Sequence, residues 1–383
     1  LGMAHTFWQS GTIIECTTLT AALLSAECWC LVAYARKPGR HLVWLMLLFN
    51  GLGFANHNFA LLTVPVLAVV TFAGVRGGVL TLRDVAIGVV FWVLGSIPYT
   101  AMIASELGRS EAWAATLQSA FFGNTFRGSV LNTTVSIRSL SICAAFVLLN
   151  FPNLMLAAAG RGLTTGKRGD VPLLARRALF AGLVIHFVFA VRYSVVDQYM
   201  FFLPTYVFLA MFGGIGFAFA WRSSSLRAVA FRRAAVVLLA TTPIVYWFVP
   251  DVARSRNVLS RVERHKPYRD DYVYLFTPWQ VVERSAERMS LHALQLVRGR
   301  GVIIVADSMA EPAVRYQVVR AGADDVSVVS RVGDEKVHAA AKRGEAVVFV
   351  PANVTIPPPD LPFGAWRREG DLYVLSVAGA EEN

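Results

Sequence analysis

The chain has 383 residues, of which 55% are hydrophobic and only 16% are charged, and its formal net charge is +11. Soluble domains carry about 25% charged residues, so this composition excludes a wholly soluble globular protein. Much of the positive charge lies in short clusters between apolar runs, which is typical of cytoplasmic loops and argues against nucleic-acid binding. Three such clusters are Arg36/Lys37/Arg40, Arg161/Lys167/Arg168/Arg176/Arg177 and Arg222/Arg227/Arg232/Arg233.

The distribution of charge divides the chain into two parts. Charged residues are sparse before Phe248 and dense after Asp251. This predicts a mostly α-helical, polytopic membrane domain over residues 1–250, followed by a small soluble α/β domain over residues 251–383. The chain opens at Leu1 in a segment with a loop-like pattern, so we expect it to be a fragment that lacks an amino-terminal part.

Six apolar runs in the first part have the length of about 17–25 residues that crosses a bilayer. They cover residues 11–34, 84–104, 137–159, 178–195, 199–220 and 232–249. A seventh run, over 41–73, would form a helix of about 50 Å, which is too long for one ordinary crossing. Its centre, Asn50-Gly-Leu-Gly-Phe-Ala-Asn-His-Asn58, has glycines that favour a break and polar side chains that need a partner at membrane depth.

The basic loops predict how these runs are arranged. If the loops share the cytoplasmic side, the run 41–73 leaves and returns as two short crossings, with its tip at Asn56-His57-Asn58. The chain then has about eight crossings of the cell inner membrane, and Glu15, residues 105–136 and the C-terminal domain are extracytoplasmic. The alternative is one long tilted helix over 41–73, which would invert half of this topology.

The second part alternates strand and helix patterns. We expect strands over residues 301–307, 326–329, 346–350 and 373–377 and helices over residues 278–298, 311–321 and 334–342. This alternation predicts a small, largely parallel sheet. Asp307 ends the first strand, at the edge where parallel sheets bind ligands, but no glycine-rich phosphate loop follows it.

Four segments of the chain together carry a family resemblance. They are Phe7-Trp8-Gln9-Ser10 with Glu15 and Leu19; Gly51-Leu-Gly-Phe-Ala-Asn-His-Asn58; Asp197 with Tyr199-Met-Phe-Phe-Leu-Pro204; and Arg269-Asp270 through Pro278-Trp279 with the strand ending at Asp307. In order and spacing they resemble a bacterial family of multi-pass membrane proteins related to protein O-mannosyltransferases, with the GT-C glycosyltransferase architecture. The chain departs from the family in lacking the amino-terminal span and first loop, and in Cys16-Thr17 after Glu15.

The resemblance implies transfer of a sugar, such as a mannose-like hexose, from a polyprenyl-phosphate donor to an extracytoplasmic acceptor, either protein hydroxyls or a glycan. That reaction needs a carboxylate to deprotonate the acceptor hydroxyl. It also needs hydrogen-bond donors, cations or a divalent metal to stabilise the departing phosphate. By this resemblance the base lies before Leu1, and Glu15 is the candidate within the chain. The expected partners are the lipid bilayer, the lipid-linked donor and the acceptor.

Five residues are candidates for substrate binding. Asn56, His57 and Asn58 could bind sugar hydroxyls or phosphate, or they could instead cap the two broken helix ends. Arg192 is a candidate phosphate ligand because a guanidinium matches phosphate oxygens bidentately. Asp197 could hold Arg192 or contact the acceptor, and the alternative for both is a solvated ion pair. No second His or Cys stands at ligand spacing from His57, so we predict no metal site there.

Three further features lie in the membrane part. Glu27 and His186 fall inside apolar runs, where an ionisable residue pairs with another helix or faces a cavity. Residues 113–127 have the pattern of an amphipathic segment lying on the membrane.

Two other classes of function stay open. One is a non-catalytic membrane scaffold with an extracytoplasmic binding domain. The other is a transporter of lipid-linked sugars, which broken helices would fit, although the sequence has no inverted internal repeat. An acidic pair in the upstream loop would favour the enzyme over the scaffold.

Overall fold

The computed structural model describes residues 1–12, 16–123, 127–164, 171–193, 195, 197–260 and 263–377. The chain divides into two compact units, Leu1–Val245 and Tyr246–Asn383. The division falls inside a long helix, Leu226–Ser255, a few residues before the boundary at 250 that the charge distribution predicts. The described part of the first unit is helical, and the second unit contains a five-stranded sheet.

The helices that begin in the first unit range from 4 to 30 residues, and most of the longer ones are apolar. They are α1 (His5–Thr12), α2 (Thr17–Arg36), α3 (Arg40–Asn56), α4 (Val64–Arg76), α5 (Leu82–Arg109), α6 (Trp113–Phe122), α7 (Arg127–Val130), α8 (Ile137–Asn150), α9 (Met155–Thr164), α10 (Leu173–Arg192), α11 (Leu203–Arg222) and α12 (Leu226–Ser255). The 3-10 helices Asn58–Thr63 and Gln198–Phe202 lead into α4 and α11.

Six helices in the described ranges are long and apolar enough to cross a membrane, which indicates a membrane protein. They are Thr17–Arg36, Asn58–Arg76, Leu82–Arg109, Leu173–Arg192, Gln198–Arg222 and Leu226–Ser255. With 17 residues, α3 lies at the lower limit of a spanning length.

The apolar run over 41–73 is broken where the sequence predicts a break. Helix α3 ends at Asn56, and His57 is extended, with φ −160° and ψ 137°. The Nδ2 atom of Asn50 donates a hydrogen bond to the Ala60 carbonyl at 2.8 Å. In one straight helix these residues would lie about 15 Å apart, so the chain reverses at His57 and forms a hairpin.

The predicted span over residues 137–159 is not one straight helix. Helices α8 and α9 meet at 105°, with the break between Asn150 and Met155. Pro152 explains the break, because proline lacks an N–H and disfavours the helical conformation of the residue before it. Phe151 accordingly has φ −131° and ψ 62°.

The connections of the first unit fall at two ends. At the end that we call the tip end, Asn56 meets Thr20, and His57 lies beside Phe201. At the opposite end, Arg36, Val171 and Arg222 line one groove, which brings the ends of α2, α10 and α11 together. Tyr34 and Leu80 pack against Gly74 there as well, which adds α4 and the start of α5. We call this second end the basic end, because the predicted basic loops begin and finish there.

The second unit is an α/β unit with a mixed sheet. Its strands are β1 (Gly301–Val305), β2 (Val326–Val329), β3 (Ala346–Val350), β4 (Gly364–Glu369) and β5 (Leu372–Val377), and its remaining α-helices are α13 (Asp271–Phe276), α14 (Ser285–Val297), α15 (Glu311–Arg320) and α16 (Glu335–Lys342). The strand order is β2-β1-β3-β5-β4. Strand β1 is parallel to β2 and β3, whereas β5 is antiparallel to β3 and β4.

Two sequence predictions for this unit need correction. The sheet is mixed rather than largely parallel, because β4 and β5 form a hairpin that closes at Gly370, whose φ of 62° suits glycine. The helix predicted over 278–298 begins only at Ser285, after a short 3-10 helix over Gln280–Val282. Alternate residues of β1 are buried on both faces: Ile303 and Val305 pack on one side, Val302 and Ile304 on the other.

Candidate functional site

The three residues of the helix break hold the tip end together. Asn56 Nδ2 donates to the Cys16 carbonyl at 2.9 Å and to Thr20 Oγ1 at 2.8 Å, which ties α3 to the start of α2. Asn58 Nδ2 donates to the Ala120 carbonyl at 2.8 Å, which ties the break to α6. Both amide nitrogens are therefore used for folding, and each side chain keeps only its oxygen for any ligand.

His57 caps the 3-10 helix that follows it. Its Nδ1 atom accepts a hydrogen bond from the Phe59 N–H at 3.2 Å. An accepting Nδ1 assigns the ring proton to Nε2, which can then donate to a ligand. The Nδ1 atom therefore caps a helix end, which is the alternative role of His57 considered above. Only Nε2 is available for the predicted ligand role.

An aromatic layer joins the break to the turn between α10 and α11. The Phe59 ring meets Phe189 at 5.1 Å and Phe201 at 5.0 Å between ring centroids, and Tyr193 meets Phe201 at 4.6 Å. Edge-to-face contacts of this kind stabilise aromatic clusters beyond the burial of their area. The layer fixes His57 on the same surface as the end of α10.

Arg192 is held by Asn132 rather than by Asp197. Its Nε atom donates to the Asn132 carbonyl at 2.8 Å, and Asn132 Nδ2 donates back to the Arg192 carbonyl at 3.1 Å. Within the described ranges no ion pair joins Arg192 to Asp197, which is exposed. The reciprocal pair orients the guanidinium and leaves its two terminal nitrogens without a hydrogen bond to a described residue. The suggestion that Asp197 holds Arg192 is not supported, whereas acceptor contact by Asp197 stays a prediction.

A buried polar cluster lies beneath the tip. Asn50, which is 0% exposed, donates through Nδ2 to Glu27 Oε2 at 3.0 Å and to Thr63 Oγ1 at 2.7 Å. Its Oδ1 atom accepts from Trp92 Nε1 at 2.9 Å. The sequence marks Glu27 as needing a partner, and that partner is the amide of Asn50. Asn50 is not among the site residues predicted from the sequence, although a polar side chain on each of two adjacent apolar runs indicates such a pairing.

His186 lies beside this cluster. Its Nδ1 atom is 2.9 Å from the Gly182 carbonyl of the preceding turn, and the ring packs on Phe208. Together with Glu27 and Thr63 it lines a cavity of about 20 Å³. A volume of that size holds about one water molecule. The cluster is thus a packed polar core and has no room for a sugar.

The segment after α5 forms the outer rim of the tip end. Helix α6 has no buried residue, and Trp113 is 65% exposed. Its last turn is anchored, because Tyr99 Oη donates to the Ala120 carbonyl at 2.5 Å and Phe121 stacks on Phe54 at 6.3 Å. Exposed aromatic residues fit the predicted amphipathic segment, while its location on a membrane surface stays a prediction.

Asp307, at the end of β1, is engaged by its own neighbours. Lys266 Nζ forms an ion pair with Asp307 Oδ2, which also accepts from Tyr268 Oη at 2.7 Å. Burial raises the pKa of the Asp307 carboxyl, but the hydrogen bonds from Lys266 and Tyr268 outweigh it, so this pKa lies below its usual value. This carboxylate stabilises the unit and is not an open ligand site.

The structure gives no information on two features considered from the sequence, the candidate base Glu15 and a bound divalent metal. Glu15, the candidate base within the chain, lies outside the described residues. Among the residues that the structure does describe, no group of three His, Cys, Asp or Glu side chains could hold a metal ion.

Comparison of the chain with protein-family models, curated proteins and solved structures finds no match. The relation to protein O-mannosyltransferases and the GT-C architecture therefore stay predictions from the motifs.

Proposed function

We propose that this protein is a membrane glycosyltransferase that moves a sugar from a polyprenyl-phosphate donor to an acceptor at its tip end. The proposal rests on the sequence resemblance together with the arrangement of the tip. Its protein or glycan acceptor would reach the same end of the membrane unit.

The proposed topology has eight crossings and follows from the six apolar helices. Adding α3 as the short first arm of the hairpin, and the bent pair of α8 and α9 as one crossing, gives eight. The basic end is cytoplasmic by the positive-inside rule, so the tip end is extracytoplasmic. A bacterial inner membrane is the corresponding location.

The observation that carries the proposal is the orientation of Arg192. Two reciprocal hydrogen bonds with Asn132 fix its guanidinium, and its terminal nitrogens make no hydrogen bond to a described residue. Such a pre-oriented fork matches the oxygens of a phosphate bidentately. In the transfer reaction it would stabilise the charge that develops on the departing polyprenyl phosphate, and a group of this kind contributes about 10²–10³ in rate.

The remaining site residues have supporting roles in this proposal. His57 would donate from Nε2 to the sugar or phosphate, and Asn56 and Asn58 position it through their bonds to α2 and α6. Asp197 would face the acceptor. The base that deprotonates the acceptor hydroxyl is supplied by Glu15 or by a carboxylate upstream of Leu1.

The test is a transfer assay with membranes that contain the full-length protein. A radiolabelled polyprenyl-phosphate hexose is added, and incorporation into protein or glycan is measured. We expect Arg192→Gln to lower incorporation about 100-fold, while Arg109→Gln, which removes the same charge from the exposed end of α5, leaves it unchanged. Equal incorporation by wild type and Arg192→Gln would reject the assigned role.

A non-catalytic scaffold is the second candidate, and one observation favours it. The amide nitrogens of Asn56 and Asn58 and the carboxylate of Asp307 all have intramolecular partners. Under this hypothesis the membranes would show no transfer above protein-free controls with any lipid-linked sugar. The protein would instead co-purify with an extracytoplasmic partner.

A further inference from the structure

An open polar cavity lies in the second unit, at the carboxyl edge of its sheet, and the proposed function makes no use of it. Its volume is about 290 Å³. Among the residues that line it, Lys266 bonds to Asp307 just past β1, and Val354 follows β3. Asp371, also in the wall, immediately precedes β5, whose first residues lie beside the last residues of the antiparallel β3. The cavity is therefore located where β1 and β3 end.

The chain leaves β1 and β3 toward opposite faces of the sheet. After β1 it continues into α15, whose Val314 packs with Ile303 on one face. After β3 it reaches Leu361 and Phe363, which pack on the other face, together with residues of α16. A crevice opens between neighbouring parallel strands where the chain departs in this way, and open α/β sheets bind their ligands there. The position of the cavity therefore points to a ligand site.

The described wall of this cavity is polar and nearly balanced in charge. Of the twelve described residues that line it, Pro267 and Val354 alone are apolar. Four carboxylates and three cations are among the others: Glu263, Asp270, Asp271, Asp371, Arg254, Lys266 and Arg269. Within the described ranges, no three His, Cys, Asp or Glu side chains are grouped so that they could hold a metal ion. The wall therefore favours neither an inorganic anion nor a metal ion.

Each cation of this wall has a carboxylate partner. The pairs are Arg254–Asp270 at 2.5 Å, Arg269–Asp271 at 2.6 Å and Lys266–Asp307. Such pairs place hydrogen-bond donors beside acceptors while leaving little net charge for an ionic ligand. A hydroxyl group both donates and accepts hydrogen bonds, so it matches a neighbouring donor and acceptor without carrying a charge. A ligand with several hydroxyl groups therefore fits this wall best.

The volume and the apolar patch of the cavity suit one sugar ring. At roughly 30 Å³ for each liquid water, 290 Å³ corresponds to about ten waters, and a hexose has a similar number of non-hydrogen atoms. The N–H of Val354 donates to the His265 carbonyl at 2.8 Å, which brings Val354 close to Pro267. These two residues form a small apolar patch against which the C–H groups of the ring can pack.

We propose that this cavity binds one hexose unit of a neutral glycan. Glu263 and Asp371 accept hydrogen bonds from the sugar hydroxyls, and the paired cations donate to them. The proposal does not depend on the transfer reaction, because a scaffold would bind a glycan at the same place. If the protein is a transferase, the cavity gives the second unit the role of holding a glycan acceptor.

Binding of methyl hexosides to the full chain tests this proposal. The protein is placed in phospholipid nanodiscs, because sugar-based detergents would compete, and saturation-transfer NMR is recorded with the methyl glycosides of mannose, glucose and galactose. We expect at least one of them to bind with a dissociation constant of about 1 mM. The methyl disaccharide of that sugar should bind at least as tightly, because the cavity is open. No lipid-linked donor is added, so the result is separate from that of the transfer assay.

Two matched pairs of variants separate the cavity from the rest of the surface. Asp371→Ala removes an acceptor from the wall and should weaken binding about tenfold, whereas Asp324→Ala, at the exposed amino edge of the sheet, should leave it unchanged. Val354→Trp fills the cavity without removing a polar side chain and should abolish binding. Its control is Val319→Trp, at a position on α15 that is 80% exposed. Folding is checked by the elution volume and helix content of each variant.

Four outcomes would overturn the proposal. They are the absence of binding by every methyl hexoside, exclusion of the disaccharide, equal losses with Asp371→Ala and Asp324→Ala, and tighter binding of inorganic phosphate or ethylamine than of any hexoside. The last would show that the cavity selects an ion.

Discussion

The tip end and the basic end of the helical unit use polar residues in opposite ways. At the tip end, Asn56 and Asn58 donate to backbone carbonyls of neighbouring segments, and Asn132 holds one cation, Arg192. At the basic end, Arg36 and Arg222 line one end of a largely apolar groove. Polar residues of the helical unit therefore either bond across neighbouring segments or border an open groove. Composition alone does not separate the two.

The largest expected change in stability comes from a substitution in the polar core beneath the tip end. Replacing Asn50 by Leu removes the amide that bonds to the buried Glu27 carboxyl and to the half-buried Trp92 Nε1. We expect the free energy of unfolding to fall by about 3 kcal/mol, the cost of orphaning a buried charged or polar group. Unfolding of the detergent-solubilised protein measures this. The control is Glu27→Gln, which keeps a hydrogen-bond acceptor and should lose less; equal losses would contradict the account.

The next effect concerns the crossing of α9 and α11, which fixes one wall of the groove. A side chain at Gly162 would collide with the backbone carbonyl of Phe212. Gly162→Leu should therefore destabilise the protein by about 2 kcal/mol, as overpacking does. Gly160, on the same helix, has open space around it, so Gly160→Leu should be nearly neutral in the same thermal unfolding assay. A neutral Gly162→Leu would show that the helices do not pack so closely.

A smaller change in stability tests whether Asn56 serves to hold the helices together. Asn56→Ala removes the bonds to the Cys16 carbonyl and to Thr20 Oγ1, and should cost about 1 kcal/mol. In a double-mutant cycle with Thr20→Val the two losses should not add, because both remove one shared bond. Full additivity would mean that Asn56 acts elsewhere, for example on a ligand.

The smallest expected change in stability concerns a carboxylate of the second unit, Asp307. The pKa of Asp307 lies below its usual value because Lys266 and Tyr268 stabilise the ionised form. A folded-state pKa below the unfolded value means that the carboxylate contributes stability at neutral pH, and that this contribution is lost as the pH falls through and below about 3.9. The opening free energy of β1, obtained from hydrogen exchange after correction for the intrinsic rate at each pH, should therefore fall at acidic pH in wild type. In Asp307→Asn this pH dependence should be weaker; an unchanged profile would contradict the assignment.

Local patterns in the sequence predicted much of the fold. The bounds of β2 and β3 are as predicted, and the break at Asn56-His57-Asn58 is confirmed. These features depend on nearby residues: β-branched runs, glycines and polar side chains at the break. The bend near Pro152 is not predicted, because the run over residues 137–159 stays apolar on both sides of this one proline. Strand β4 was missed, because Trp366-Arg-Arg-Glu369 has the polarity of an exposed edge.

The site was less predictable, because its pairings are distant in sequence. Arg192 bonds to Asn132, 60 residues away, rather than to the nearby Asp197. Glu27 bonds to Asn50 on the next helix, whereas the sequence indicates only that it pairs with another helix or faces a cavity. Such pairs are decided by how helices pack, and no local spacing shows them.

In the proposed topology the tip end and the basic end face opposite sides of the membrane, and thiol labelling measures which side each end faces. In a variant without Cys16, Cys28, Cys30 and Cys143, single cysteines are placed at Asn58 and at Arg83, and intact cells are treated with an impermeant outer-face reagent. We predict that the cysteine at position 58 reacts and that the one at position 83 reacts only after permeabilisation. Labelling of both positions in intact cells, or of position 83 alone, would contradict the account.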